Sequence, residues 1–138
     1  MKCVCLIGVC SILLIGVTSG CATAQPATFK MVEASPGVSF EQGWLAVVEA
    51  VGDRLDIETV DKESGYLRTA WKQSQKFLSS SYRTRCVASV ASRQPFKVKI
   101  KVEREKYDSL SEKWIAAGND EEMEREILAD INGRLQRR

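Results

Sequence analysis

The sequence predicts a two-layer α+β domain, a four-stranded antiparallel sheet with two helices packed on one face in the order α-β-β-β-β-α. Three observations predict it. From Phe96 to Arg104, apolar Phe96, Val98, Ile100 and Val102 alternate with Lys97, Lys99, Lys101 and Glu103, the period-two signature of a half-buried strand. Phe40, Trp44, Val47, Val48 and Val51 recur at helical spacing, so one side of that stretch is apolar. Met123, Ile127, Leu128, Ile131 and Leu135 repeat the spacing near the C-terminus, with acidic residues before them and Arg134, Arg137 and Arg138 after, the polarity that complements a helix dipole.

The chain divides into 1-20, 21-37 and 38-138. Met1-Lys2 and the apolar run Cys3 to Val17 have the layout of a secretory signal. The run is too short for a spanning helix, which needs about 20 apolar residues. Thr18-Ser19-Gly20-Cys21 resembles the bacterial lipobox, with Thr18 where that motif usually carries Leu. The resemblance implies cleavage before Cys21, a diacylglycerol on its thiol and acylation, palmitate included, of the new amino terminus. The alternative is an ordinary secretory signal with Cys21 left as a thiol. Ala22 follows the cysteine in place of the Asp that retains some lipoproteins at the inner membrane, which points to the outer membrane, facing the periplasm. Residues 21-37 carry Pro26, Pro36 and small polar residues without periodicity, the pattern of an extended tether reaching about 50 Å from the lipid.

Within 38-138, Ser39-Phe40-Glu41-Gln42 is a capping box, serine and glutamine satisfying each other's backbone N–H groups. Gly52 is placed to end that helix in a left-handed cap. Alternation predicts strands over Arg54 to Val60 and Tyr66 to Gln73, joined by a turn at Asp61 to Gly65 in which glycine supplies the positive φ. In the second strand Leu67, Thr69 and Trp71 share one face, and Tyr66, Arg68, Ala70 and Lys72 the other. Ser74 to Ser80 is a polar loop holding Phe77 and Leu78, and Ser81 to Ala91 and Phe96 to Arg104 are two further strands. Glu105 to Gly118 folds back as a short helix or irregular loop, and Asn119 opens the last helix. Gly133 there marks fraying or a close approach to the sheet.

Composition narrows the function classes. Of 138 residues, Lys and Arg number 20 and Asp and Glu 18. That near-neutral balance gives no drive toward nucleic acid. Histidine is absent, which removes Ser/His/Asp and Cys/His nucleophilic systems and every His-containing zinc site. Once Cys3, Cys5 and Cys10 leave with the signal and Cys21 is acylated, Cys86 stands alone on a strand face and is expected to be a small core residue. No catalytic residue, metal site or cofactor is expected, and the carboxylates read as solvated helix-start and strand-surface groups. The feature above background is basic. Arg68, Lys72, Arg83, Arg85, Lys97, Lys99 and Lys101 are expected on the face of the sheet away from the helices, a possible surface for an anionic partner, diluted by Asp56, Glu58 and Glu103.

Trp44, the hairpin Asp61…Gly65-Tyr66-Leu67-Arg68-Thr69-Ala70-Trp71, Tyr82-Arg83-Thr84-Arg85 and Glu126-Ile127-Leu128…Ile131…Leu135 together resemble the helix-grip domains of BamC-like outer-membrane lipoproteins, over roughly Val38 to Leu135. The resemblance implies a non-enzymatic envelope lipoprotein held by its N-terminal lipid, a scaffold or interaction module accessory to outer-membrane assembly, with a protein partner in the envelope. A carrier that holds a lipid or small amphiphile between sheet and helices is the alternative.

Overall fold

The structure is a computed structural model that describes residues 24–76 and 79–137. The signal, Cys21 and the Phe77-Leu78 pair lie outside the described residues. The elements run β1 (Lys30–Glu33), α1 (Phe40–Gly52), β2 (Ile57–Asp61), β3 (Tyr66–Thr69), β4 (Lys72–Lys76), β5 (Ser79–Arg93), β6 (Phe96–Asp108), β7 (Lys113–Asn119) and α2 (Glu121–Gln136).

The predicted four-stranded sheet is corrected to seven strands, in the order β1-β6-β5-β3-β2, with β4 also pairing β5 and β7 also pairing β6. All named pairings are antiparallel. The long hairpin β5–β6 is the spine. β3 and β4 follow one another along the outer edge of β5, and β1 and β7 along the outer edge of β6.

Each addition has a physical reason. β1 comes from residues read as tether, because Val32 and Ala34 are buried and Ala34 N–H donates to the Phe96 carbonyl. A four-residue strand with one buried side chain, Val32, and a second, Ala34, just past its end leaves too short a pattern to read. β7 replaces the helix or loop expected over Glu105 to Gly118, and both its faces are half-exposed, so no alternation marks it. The predicted strand Tyr66 to Gln73 breaks in two, since β5 advances three residues, from Val87 to Thr84, while its partner advances four, from Arg68 to Lys72. That extra residue is a bulge, and it moves every side chain beyond it to the opposite face.

The core lies between the helices and the half of the sheet nearest the β5–β6 turn. Leu67, Cys86, Ala88, Val98, Ile100 and Val102 from the strands meet Trp44, Val47, Val51, Ile127 and Ile131 from the helices. The capping box at Ser39 and Gln42 is present. Gly65 adopts φ +68, and a Cβ there would come within 2.6 Å of Val90. Gly52, in contrast, is the last helical residue, and right-handed Asp53 caps α1, so the left-handed cap is corrected. α2 is capped by Asp120, one residue later than expected.

Past Thr84 and Val102 the sheet continues beyond the helices as a four-stranded arm of β4, β5, β6 and β7. Along β6 the alternating burial stops at Val102, so this arm has no hydrophobic core of its own. Stacked side chains hold it. Arg83 lies between Trp71 and Trp114, at 4.5 and 4.6 Å from the ring centroids. On the opposite face Arg104 covers Tyr82 at 4.1 Å.

Where α1 ends beside α2, Arg134 joins the two helices through Glu49 at 2.8 Å, Asp53 at 2.5 Å and Asp130 at 3.0 Å, while Arg54 reaches Asp130 at 3.0 Å. The guanidiniums of Arg134 and Arg54 hold the Asp130 carboxyl below its ordinary value near 3.8. A carboxyl depressed in the folded state stabilises the fold above its unfolded pKa, and that contribution is lost as pH falls through the folded value. Denaturant melts between about pH 5 and pH 3 should therefore fall steeply for the native chain and less steeply for Arg134→Gln, which starts lower. Gly133 approaches no strand. A Cβ there would have Arg137 Nη2 as its nearest neighbour, at 3.7 Å. Gly133→Ala should raise the denaturation midpoint by an amount equivalent to about 0.5–1 kcal/mol, with the slope unchanged.

Candidate functional site

No helix covers the sheet face away from α1 and α2, although the segment before β1 lies over part of it, with Phe29 against Lys101 at 4.9 Å, and this face collects six of the seven predicted cations. Pairing across β5 and β6 sets Arg83 opposite Glu105, Arg85 opposite Glu103, Val87 opposite Lys101 and Ser89 opposite Lys99, with Arg68 beside Val87. Lys72 is the exception and is corrected. The bulge turns it to the other face, where it pairs with Thr84 and donates to the Arg54 carbonyl at 3.1 Å.

The same bulge brings Trp71 out. Expected beside Leu67 and Thr69, it lies instead on the open face against Arg85 at 4.4 Å and Arg83 at 4.5 Å. Trp114 stacks on the far side of Arg83, and Tyr107 meets Trp114 edge-on at 5.3 Å. A stripe of arginine and aromatic side chains therefore crosses the arm. No spacing rule flags it, because its members come from three strands, β5, β6 and β7, and from the bulge between β3 and β4 that turns Trp71 outward.

Carboxylates hold most of the cations. Arg68 pairs with Glu58 at 3.1 Å, Arg83 with Glu105 at 2.5 Å, and Lys97 with Glu33 at 3.0 Å. Glu103 accepts from both Arg85 and Lys101 at 2.5 Å. Burial pushes the Glu103 carboxyl up, but Lys101 and Arg85 outweigh that and hold it below its ordinary value. Such a carboxylate is a fixed acceptor and a poor proton carrier near neutral pH. Among the described residues Lys99 is the face cation without an ion pair. The surface is thus a mixed-charge lattice with an aromatic stripe. The Glu103 and Glu105 pairs are partly buried and hold their arginines in one orientation, whereas the more exposed Arg68–Glu58 and Lys97–Glu33 pairs add little to the stability of the fold.

Cys86 is fully buried, and burial, with Glu124 and Glu103 adding to it, pushes its thiol up to about 12. A thiol so placed is a small core residue. Among the described residues no group of three His, Cys, Asp or Glu could hold a metal ion, and no helix is long and apolar enough to cross a membrane.

Two other features escaped the sequence reading. Glu124 is fully buried at the start of α2, where its carboxylate meets Lys30 Nζ of β1 and Asn119 Nδ2 of β7. Its spacing was a usable signal, since Glu124 precedes Ile127, Ile131 and Leu135 by three, seven and eleven residues and so falls on their stripe. The second is an apolar groove of about 470 Å³ between α1 and the edge strand β2, lined by Trp44, Leu45, Val48 and Val60 with Glu41 and Lys62 at its rim. Compared with protein-family models and with curated proteins, the chain matches none.

Proposed function

We propose that this protein is a lipid-anchored, non-enzymatic interaction module of the bacterial envelope, acylated at Cys21, which presents the open sheet face to a protein partner. The observation that carries the reading is the cluster of Trp71, Arg83 and Arg85, outside the core on a face no helix covers. Trp and Arg are among the side chains enriched at the energetic centres of interfaces, and Trp offers a large, rigid surface with few torsions to fix. Here cation–π stacking and carboxylate pairing orient the arginines before any partner arrives, which lowers what binding must order. The resemblance to BamC-like lipoproteins adds the expectation that the partner belongs to the outer-membrane assembly machinery.

The test is photo-cross-linking in cells from Ser89 or Lys99 on the open face, and from Glu122 on the exposed side of α2. One envelope protein captured from the sheet positions, absent from the helix position and lost with Arg83→Glu, is the expected result. Capture only from the helix, or none from the sheet, would overturn it.

The carrier reading keeps one observation in its favour, the apolar groove beside β2. Its volume falls in the range of small-molecule sites, about 300–1,000 Å³. It opens outside the core, whereas the space between sheet and helices is filled by Phe96, Leu67, Ile100 and their neighbours. Native mass spectrometry of protein purified from membranes should retain an amphiphile that Val60→Asp releases, and a ligand-free spectrum would count against a carrier.

A further inference from the structure

The tether expected to hold the domain away from the lipid is largely docked on the domain itself. Gln25 N–H donates to the Ala116 carbonyl at 3.2 Å, and Gly118 N–H donates to the Gln25 carbonyl at 2.7 Å. Thr28 N–H donates to Asn119 Oδ1 at 2.8 Å, and β1 follows at the edge of β6. Gln25 is four residues from Cys21, and four residues of fully extended chain reach only about 14 Å. The bridge between Gln25 and Ala117 is parallel. Ala24, the residue upstream of Gln25, therefore lies on the side of the start of β7, the end of the arm at which β6 and β7 turn.

At that turn Leu110 is 96 % exposed, the most exposed large apolar side chain among the described residues. It is held there by Asp108, whose carboxylate accepts from Leu110 N–H and Ser111 N–H at 3.3 Å and from the Ser111 hydroxyl at 2.6 Å. One step back from the turn, Tyr107 and Trp114 form a cross-strand aromatic pair. A leucine at the tip with Tyr and Trp behind it follows the depth order of a bilayer boundary, where aromatic rings with polar edges settle at headgroup level. Lys106 and Lys113 near the tip are balanced in charge by Asp108 and Glu112, so attraction here is apolar and needs no anionic lipid.

We infer that the β6–β7 tip is a second membrane contact, with Leu110 entering the lipid interface and Tyr107 and Trp114 at headgroup level, so that the domain stands on the bilayer by its arm. This rests on acylation of Cys21, which fixes where the short leash begins. It also accounts for an arm that extends past the helices with no core of its own.

The experiment uses the full-length acylated protein in phosphatidylcholine vesicles, carrying Leu110→Cys labelled with an environment-sensitive fluorophore. Buried Cys86 does not compete for the label. The control label sits at Glu63→Cys, in the β2–β3 turn at the opposite end of the sheet, roughly 40 Å from the tip along a strand the length of β6. The mass of the Cys21 peptide reports acylation in the same sample. With acylation present, a blue-shifted label at 110 that brominated lipids quench several-fold more than the label at 63, unchanged by salt, is expected. Equal, water-like emission at both positions in acylated protein would overturn the tip contact and leave the anchor standing. An unacylated Cys21 peptide would overturn the anchor, and the tip inference with it.

Discussion

Phe96→Ala is expected to destabilise the domain by about 3–5 kcal/mol, the range for removing a fully buried aromatic side chain and leaving a cavity. The ring is 1 % exposed at the start of β6 and lies 6.2 Å from the Phe40 ring. It is pressed against the backbone of α1 at Gly43, so closely that a Cβ there would overlap Cδ1, Cγ and Cε1. Gly43→Ala, a substitution that favours an isolated helix by about 1 kcal/mol, should therefore destabilise this one by about 1–3 kcal/mol through overpacking. Gly43→Ala combined with Phe96→Leu should recover part of the loss, because the two sites share one contact and their effects are not additive. Urea midpoints for the single and double variants decide it. Strict additivity would mean that Gly43 is not seated on Phe96.

How legible this fold is from sequence depends on how completely each element is half buried. α1 and β6 read clearly because each sets one apolar face on the core and one face in water, and binary patterning encodes nothing else. β7 lies in the arm, where Trp114, Ile115 and Ala116 are all partly exposed, so no face is marked. Bulges are the harder case. Gly118, at φ +81, accommodates an extra residue where β7 crosses β6, and a glycine is at least a hint of that. The bulge between β3 and β4 occurs at Ala70-Trp71 with no glycine, and it exchanges Trp71 and Lys72 between faces. The basic face was therefore legible as a set of cations, whereas its aromatic stripe was not. Its mixed charge was legible in part, since Glu103 lies in the same alternating run as the lysines it offsets, but Glu33 came from a segment read as tether. The tether misled for a similar reason. Prolines at 26 and 36 frame a stretch whose strand is only four residues long, and its attachment to α2 depends on a glutamate that resembles every other acid at a helix start.

That glutamate gives the second large effect. Glu124 is fully buried, and the Lys30 side chain that meets it is 53 % exposed. The partners are therefore unequal. Glu124→Met leaves Lys30 free to return to water and should lose little beyond the hydrogen bond to Asn119. Lys30→Met strands a buried carboxylate and should destabilise the fold clearly more than Glu124→Met, though less than breaking a pair buried on both sides, because water can reach Glu124 from the lysine side. The double variant should be more stable than Lys30→Met alone, and this reversal is the distinguishing result. A hydrogen bond from Lys30 to Glu124, reinforced by their attraction, raises the lysine pKa above its ordinary 10.5. A group whose pKa rises on folding stabilises the fold below its unfolded value, and that contribution is lost as pH rises through the folded one. The native chain should therefore converge on Lys30→Met only under strongly alkaline conditions. Amide exchange locates the same effect. Lys30→Met should accelerate exchange of the β1 amides and of Gly118, whose N–H is held by the Gln25 carbonyl, while Val98 and Ile100 at the centre of β6 stay protected until global unfolding. Unchanged exchange at Gly118 would show that the strap is held by its backbone bonds alone and that the buried pair does not fasten it.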